Sequence, residues 1–155
     1  MTLYVVGIGS DVGDDQVGWL IANRLQDRRA DAQAHCCRSP MELLARLPVD
    51  DSLLIVDAVR SGHHPPGTIH RLQWPATTRL AAWQQPASSH GLSLADALSL
   101  ADQLTLLPRT TLLWGIEIPE PTPTPDLSAP VLSAVDSLIR SADRYFPVQT
   151  VMDCG

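Results

Sequence analysis

Apolar residues fall in short continuous runs that alternate with amphipathic stretches and turn-rich loops. Leu3-Tyr4-Val5-Val6-Gly7-Ile8-Gly9 is β-branched and aliphatic with no polar interruption, which predicts a strand over about 3–9 covered on both faces. Val17, Leu20, Ile21 and Leu25 then follow the helical period, so a helix is expected over about 15–28. Ala34 to Cys37 reads as a short second strand. Met41, Leu43, Leu44 and Leu47 suggest a short helix begun near Ser39-Pro40, since Pro is well tolerated at a first helical position. Leu53-Leu54-Ile55-Val56, ending on Asp57, marks the central strand at about 52–58.

Turn residues fill Arg60-Ser61-Gly62-His63-His64-Pro65-Pro66-Gly67 before Thr68-Ile69-His70-Arg71-Leu72 resumes as a strand. About eight residues leave no room for a crossover helix, so these two strands are expected to be antiparallel neighbours, the second at a sheet edge. Residues 74–90 are irregular, and loops of that length are commonly functional or mobile. Ser93-Leu94-Ala95-Asp96 resembles a capping box, with the helix behind it running to about Leu104. Thr110 to Ile116 is the last strand. The alternate prolines from Pro119 to Pro125 favour an extended segment. A final helix over about 126–144 carries an apolar stripe at Leu127, Val131, Leu132, Val135, Leu138, Ile139 and Ala142, a core-packing pattern. The expected fold class is α/β, a single three-layer domain over 1–155. Its twisted, mixed, mostly parallel sheet of about five strands has helices on both faces.

Composition narrows the function. A chain of 155 residues with 45% hydrophobic content suits one domain able to bury its own core. The net charge of −6 and the absence of a basic footprint argue against nucleic acid as a partner. No apolar stretch reaches the roughly 18 residues of a membrane span, and no basic segment precedes the first strand, so a cytoplasmic protein is expected. Charge and the lack of an exposed apolar stripe suggest a monomer. Cys36, Cys37 and Cys154 cannot all pair and lack metal or redox spacing, so they are expected to be reduced.

Chemistry gathers at strand ends, where open α/β sheets place their sites. Asp14 and Asp15 follow the first strand, Asp57 ends the central one, and His90 lies in the loop Ser88-Ser89-His90-Gly91. One aspartate of the first pair satisfies helix capping, which leaves the other free for the crevice. Asp57 is costly to desolvate without a metal or a cation as partner. Asp15, Asp57 and His90 together offer two carboxylates and an imidazole, a set suited to Ni²⁺ or Zn²⁺ held weakly, with open positions. A dinucleotide reading of Gly7-Ile8-Gly9 fails because Val12 stands where G-x-G-x-x-G needs its third glycine. Nor is there a G-x-S-x-G elbow for a serine hydrolase, or a duplicated Asp-Thr-Gly-like turn for an aspartic dyad.

Four motifs in order carry a family resemblance. They are Gly7-Ile8-Gly9-Ser10 with Gly13-Asp14-Asp15-Gln16-Val17-Gly18; Val56-Asp57-Ala58-Val59 with Pro66-Gly67-Thr68; Ser89-His90-Gly91-Leu92 with Asp96; and Gly115-Ile116-Glu117. The chain resembles the maturation endopeptidases of nickel–iron hydrogenases. The resemblance implies a mixed twisted sheet flanked by helices. It also implies removal of a short C-terminal extension from the hydrogenase large-subunit precursor once nickel has been inserted. It places the family's metal-contacting residues on Asp15, Asp57 and His90. Nickel would then be presented by the substrate and bound transiently, as a recognition signal. Some members have Glu in place of Asp15, and some have a glycine-rich acidic turn where this chain has Cys36-Cys37-Arg38-Ser39-Pro40; the second departure concerns which hydrogenase is the partner. A non-catalytic metal-sensing chaperone for the same precursor is the alternative.

Overall fold

The computed structural model describes residues 2–48, 52–83, 92–119 and 125–146. Strand β1 (Leu3–Ile8) leads through a 3₁₀ turn at Gly13–Gln16 into helix α1 (Val17–Arg28). Strand β2 (Ala32–Cys37), helix α2 (Pro40–Leu44) and strand β3 (Ser52–Val59) follow. Strand β4 (Ile69–Gln73), helices α3 (Thr77–Ala81) and α4 (Leu94–Gln103), strand β5 (Thr111–Glu117) and helix α5 (Ala129–Tyr145) complete the order. The five strands form one sheet in the order β2-β1-β3-β5-β4, parallel except for β4.

Strand alternation builds the three layers, because successive side chains point to opposite faces. On β3, Leu54, Val56 and Ala58 join Ile21 and Leu25 of α1 and Val135 and Leu138 of α5 in one core. Leu53, Ile55 and Val59 turn the other way and meet Leu43 of α2, Leu80 of α3 and Leu98 of α4. Every residue of β3 is buried, as the unbroken apolar run requires.

Two expectations are corrected. The strands on either side of the turn-rich loop are not neighbours, since β4 pairs with β5, with Leu72 opposite Leu113, and β5 lies between it and β3. Strand β5 is buried almost throughout and gains from pairing on both sides, whereas the half-exposed pattern of β4 suits an edge. The irregular stretch after β4 contains α3, whose Leu80 and the following Trp83 are buried against the second core. The rest of that stretch, and the proline segment from 120 to 124, lie outside the described residues.

The cap foreseen at Ser93 is present, its hydroxyl accepting the Asp96 N–H at 3.1 Å. Ser93→Ala is expected to cost about 1 kcal/mol, read as a lower midpoint in urea with an unchanged slope.

Candidate active site

A glycine just past β1 shapes the site. A Cβ on Gly9 would stand 2.1 Å from the Asp15 carbonyl oxygen, so only glycine lets the 3₁₀ turn fold back over the end of β1. The returning turn is fixed by the Ser10 N–H donating to that carbonyl at 3.2 Å. Asp14 and Asp15 therefore leave the backbone at one place with different tasks. Neither caps its own helix through its side chain. Asp14 instead accepts the backbone N–H and hydroxyl of Ser128, at 2.8 and 3.1 Å, and so holds the residue that precedes α5. Asp15 turns toward the sheet end, where its Oδ1 accepts from Arg60 Nη2 at 2.6 Å.

Asp57 lies within β3, two residues short of its end and opposite Gly115 of β5. Its side chain shares the face of Ile55 and Val59, and it is 7% exposed. Oδ1 accepts the N–H of Ala58 at 2.8 Å, and among the described residues Asp57 forms no ion pair. Burial pushes its carboxyl up from an ordinary 3.8 to about 7. The Ala58 N–H works against that rise, the charge of Asp15 adds to it and the Arg60 guanidinium opposes it. Asp15, Asp57 and Arg60 thus act on one another electrostatically at the carboxyl end of the sheet. His90, the third predicted site residue, lies outside the described residues. Among the described residues, no three His, Cys, Asp or Glu side chains converge on a point that would hold a metal.

Sequence reasoning missed two charged residues. Arg60 follows the last residue of β3, and its signal in the sequence is a cation directly after Asp57-Ala58-Val59. Glu117, quoted above within Gly115-Ile116-Glu117, is 1% exposed. Its carboxylate accepts the Ser61 backbone N–H at 3.1 Å and the Ser61 hydroxyl. The buried carboxylate thereby anchors the loop that carries Arg60, whose own N–H donates to the Trp83 carbonyl at 2.8 Å.

Beside these groups opens a cavity of about 380 Å³ walled by Val59, Ser61, His63, His64, His70 and Trp83. His70 Nε2 is buried without a hydrogen bond among the described residues, its approach to Glu117 Oε1 being 3.7 Å. Burial pulls the His70 imidazole down, outweighing the pull of Glu117 in the other direction. Burial therefore favours the neutral form of His70, while Arg71 and Arg79 bring positive charge to the same cavity wall. Cys36 is exposed, Cys37 is buried and both are free thiols. Burial raises both thiols, which makes them poor metal ligands or nucleophiles at neutral pH.

The fold coincides with those of known proteins. The hydrogenase maturating endopeptidase HybD from E. coli is 28% identical, with 95% of this chain and 94% of that one covered at a TM-score of 0.76. The solution structure of an endopeptidase from E. coli matches at 26% identity over 96% and 95% of the two chains, at a TM-score of 0.75. The [NiFe] hydrogenase maturation protease HybD from Thermococcus kodakarensis shares the fold at 16% identity, with 94% and 99% covered and a TM-score of 0.70. A search of curated proteins returned no match. The sequence profile of the hydrogenase maturation proteases matches residues 37–144, a stretch that includes Asp57, Arg60, His90 and Glu117. The chain belongs to the hydrogenase maturation protease family.

Proposed function

We propose that this protein is the endopeptidase that removes the C-terminal extension of a nickel–iron hydrogenase large-subunit precursor after nickel insertion, with the metal as its recognition signal. Family membership supports the endopeptidase role. The observation that carries the finer reading is Asp57, a carboxyl 7% exposed near the end of a central strand with no ion-pair partner among the described residues. Leaving a carboxylate in that state is costly, and a metal brought in by the substrate would relieve the cost. Asp15 and Asp57 fit such an ion chemically, as oxygen donors on adjoining elements, and His90 would supply the nitrogen.

Hydrolysis needs a water whose proton is accepted as its oxygen attacks the scissile carbonyl, and a proton returned to the departing amine. A carboxylate at this site is the group to accept and return it. The precursor's nickel, when present, would polarise the carbonyl or the water. The cavity beside Val59 and Trp83 gives the peptide next to the cleaved bond a place to lie.

The test compares nickel-loaded precursor with its nickel-free form, each incubated with the protein and weighed by intact mass spectrometry. Loss of a single C-terminal peptide from the loaded form alone is the expected result. An unchanged mass for a loaded precursor that nevertheless binds would turn the reading toward a metal-sensing chaperone.

A further inference from the structure

The Arg60–Asp15 pair raises a question that the metal reading does not answer: why a site meant to meet a cation already holds one. Arg60 Nη2 lies 2.6 Å from Asp15 Oδ1, the short distance of a charge-assisted hydrogen bond. The pair is neither open surface nor deep interior, with side-chain exposures of 33% and 27%, so solvent weakens it without abolishing it. Its placement is built rather than incidental. The Arg60 backbone is tied to Trp83, and the next residue is clamped by the buried carboxylate of Glu117. The guanidinium also acts on Asp57, where its charge favours the ionised form. One fixed positive charge therefore serves both carboxylates at the strand ends.

We propose that Arg60 is an internal counter-ion that occupies Asp15 in the free enzyme and keeps hydrated divalent cations out of the site. This inference rests on the proposed role of Asp15 and Asp57 toward the precursor's metal. A free divalent ion entering between the carboxylates must take Asp15 from the guanidinium and then sit beside it, two positive centres repelling at short range. A metal presented by the precursor arrives with much of its charge offset by the donors that already hold it, so the repulsion is smaller. The contacts made by the rest of the precursor can then offset the loss of the Arg60–Asp15 hydrogen bond. Arg60 is in this sense a positioning and specificity residue, since it sets which form of the metal the site accepts. Lysine would keep the charge but not the planar fork of donors.

The test is calorimetric titration of Ni²⁺ alone into the full chain, comparing wild type, Arg60→Gln, Arg60→Lys and the double variant Arg60→Gln/Asp57→Asn, each checked for folding by circular dichroism. Arg60→Gln should bind free Ni²⁺ at least about tenfold more tightly than wild type. Arg60→Lys should stay near wild type, and adding Asp57→Asn should remove the gain. A folded Arg60→Gln with unchanged or weaker affinity overturns the proposal, as does a gain that survives Asp57→Asn, because the ion would then be held elsewhere, for instance by His63 and His64. Cleavage of nickel-loaded precursor by wild type is measured in parallel. Cleavage without the affinity gain defeats the counter-ion role alone, while the gain without cleavage supports the counter-ion role and defeats the peptidase reading.

Discussion

Gly7→Ala is expected to prevent this chain from folding stably. A Cβ on Gly7 would lie 2.3 Å from the carbonyl oxygen of Gly18, 2.6 Å from its carbonyl carbon and 2.9 Å from the Trp19 nitrogen. All three are backbone atoms of α1, so no rotamer change relieves the overlap. The contact is reciprocal, because a Cβ on Gly18 would come within 2.6 Å of the Ile8 oxygen and 2.7 Å of the Val56 oxygen. Helix α1 thus rests directly on the backbones of β1 and β3 where the two glycines meet. Moving it outward would loosen Ile21 and Leu25 from the core and carry the Asp15 turn away from Asp57. The expected cost exceeds about 3 kcal/mol, a large part of the roughly 5–15 kcal/mol by which domains are stable. Gly115→Ala is the control. Its Cβ would meet Val59 Cγ2 at 2.4 Å and the Trp83 ring at 2.9 Å, side-chain atoms with room to adjust toward the adjoining cavity. A smaller loss of about 1–3 kcal/mol is expected there. Denaturant melts of the two variants decide the matter, and equal losses would remove the backbone-contact account.

The same contacts explain how much of the molecule could be read from its sequence. Gly7-Ile8-Gly9 suggested a phosphate cradle by its spacing and failed that reading at Val12. Its glycines instead serve helix packing and the return of the Asp15 turn, a role that spacing alone cannot distinguish. Strands announced themselves because burial on both faces demands unbroken apolar runs, and β3 is the clearest case. Strand order did not, since the short loop fixes only that β3 and β4 run in opposite directions. Which strand lies between them depends on how β5 buries its two sides. Asp57 was legible because a carboxylate at the end of such a run has few inexpensive explanations. The division of labour between Asp14 and Asp15 was not, because Ser128 and Arg60, which separate them, are 114 and 45 residues away. Glu117 was visible as a motif letter, yet its task as the anchor of Ser61 exists only after β5 and the loop have folded together.

Asp57→Asn should slow cleavage severely and stabilise the protein at alkaline pH. For activity, loss of a carboxylate that takes part in proton transfer or meets the metal is expected to cost on the order of 10²–10⁴ in rate. Stability should move the other way. The Asp57 carboxyl is raised from 3.8 to about 7 by burial, so folding favours its protonated form. The stability linked to this group is fully present below about pH 4, where folded and unfolded chains are both protonated. It is lost as pH rises through about 7, where the folded chain must ionise a buried acid. Asparagine keeps an oxygen to accept the Ala58 N–H but never ionises, so it escapes the loss. The variant should gain up to about 4 kcal/mol over wild type at pH 8, and the advantage should fade toward pH 4. Arg29 holds the Asp31 carboxyl below its usual range, which weakens the fold in acid, but this acts on both proteins and cancels in their difference. Urea midpoints of both proteins from pH 4 to pH 9 would show the divergence. Parallel curves would mean that Asp57 is solvated well enough to ionise freely in the folded protein and has no need of a cation.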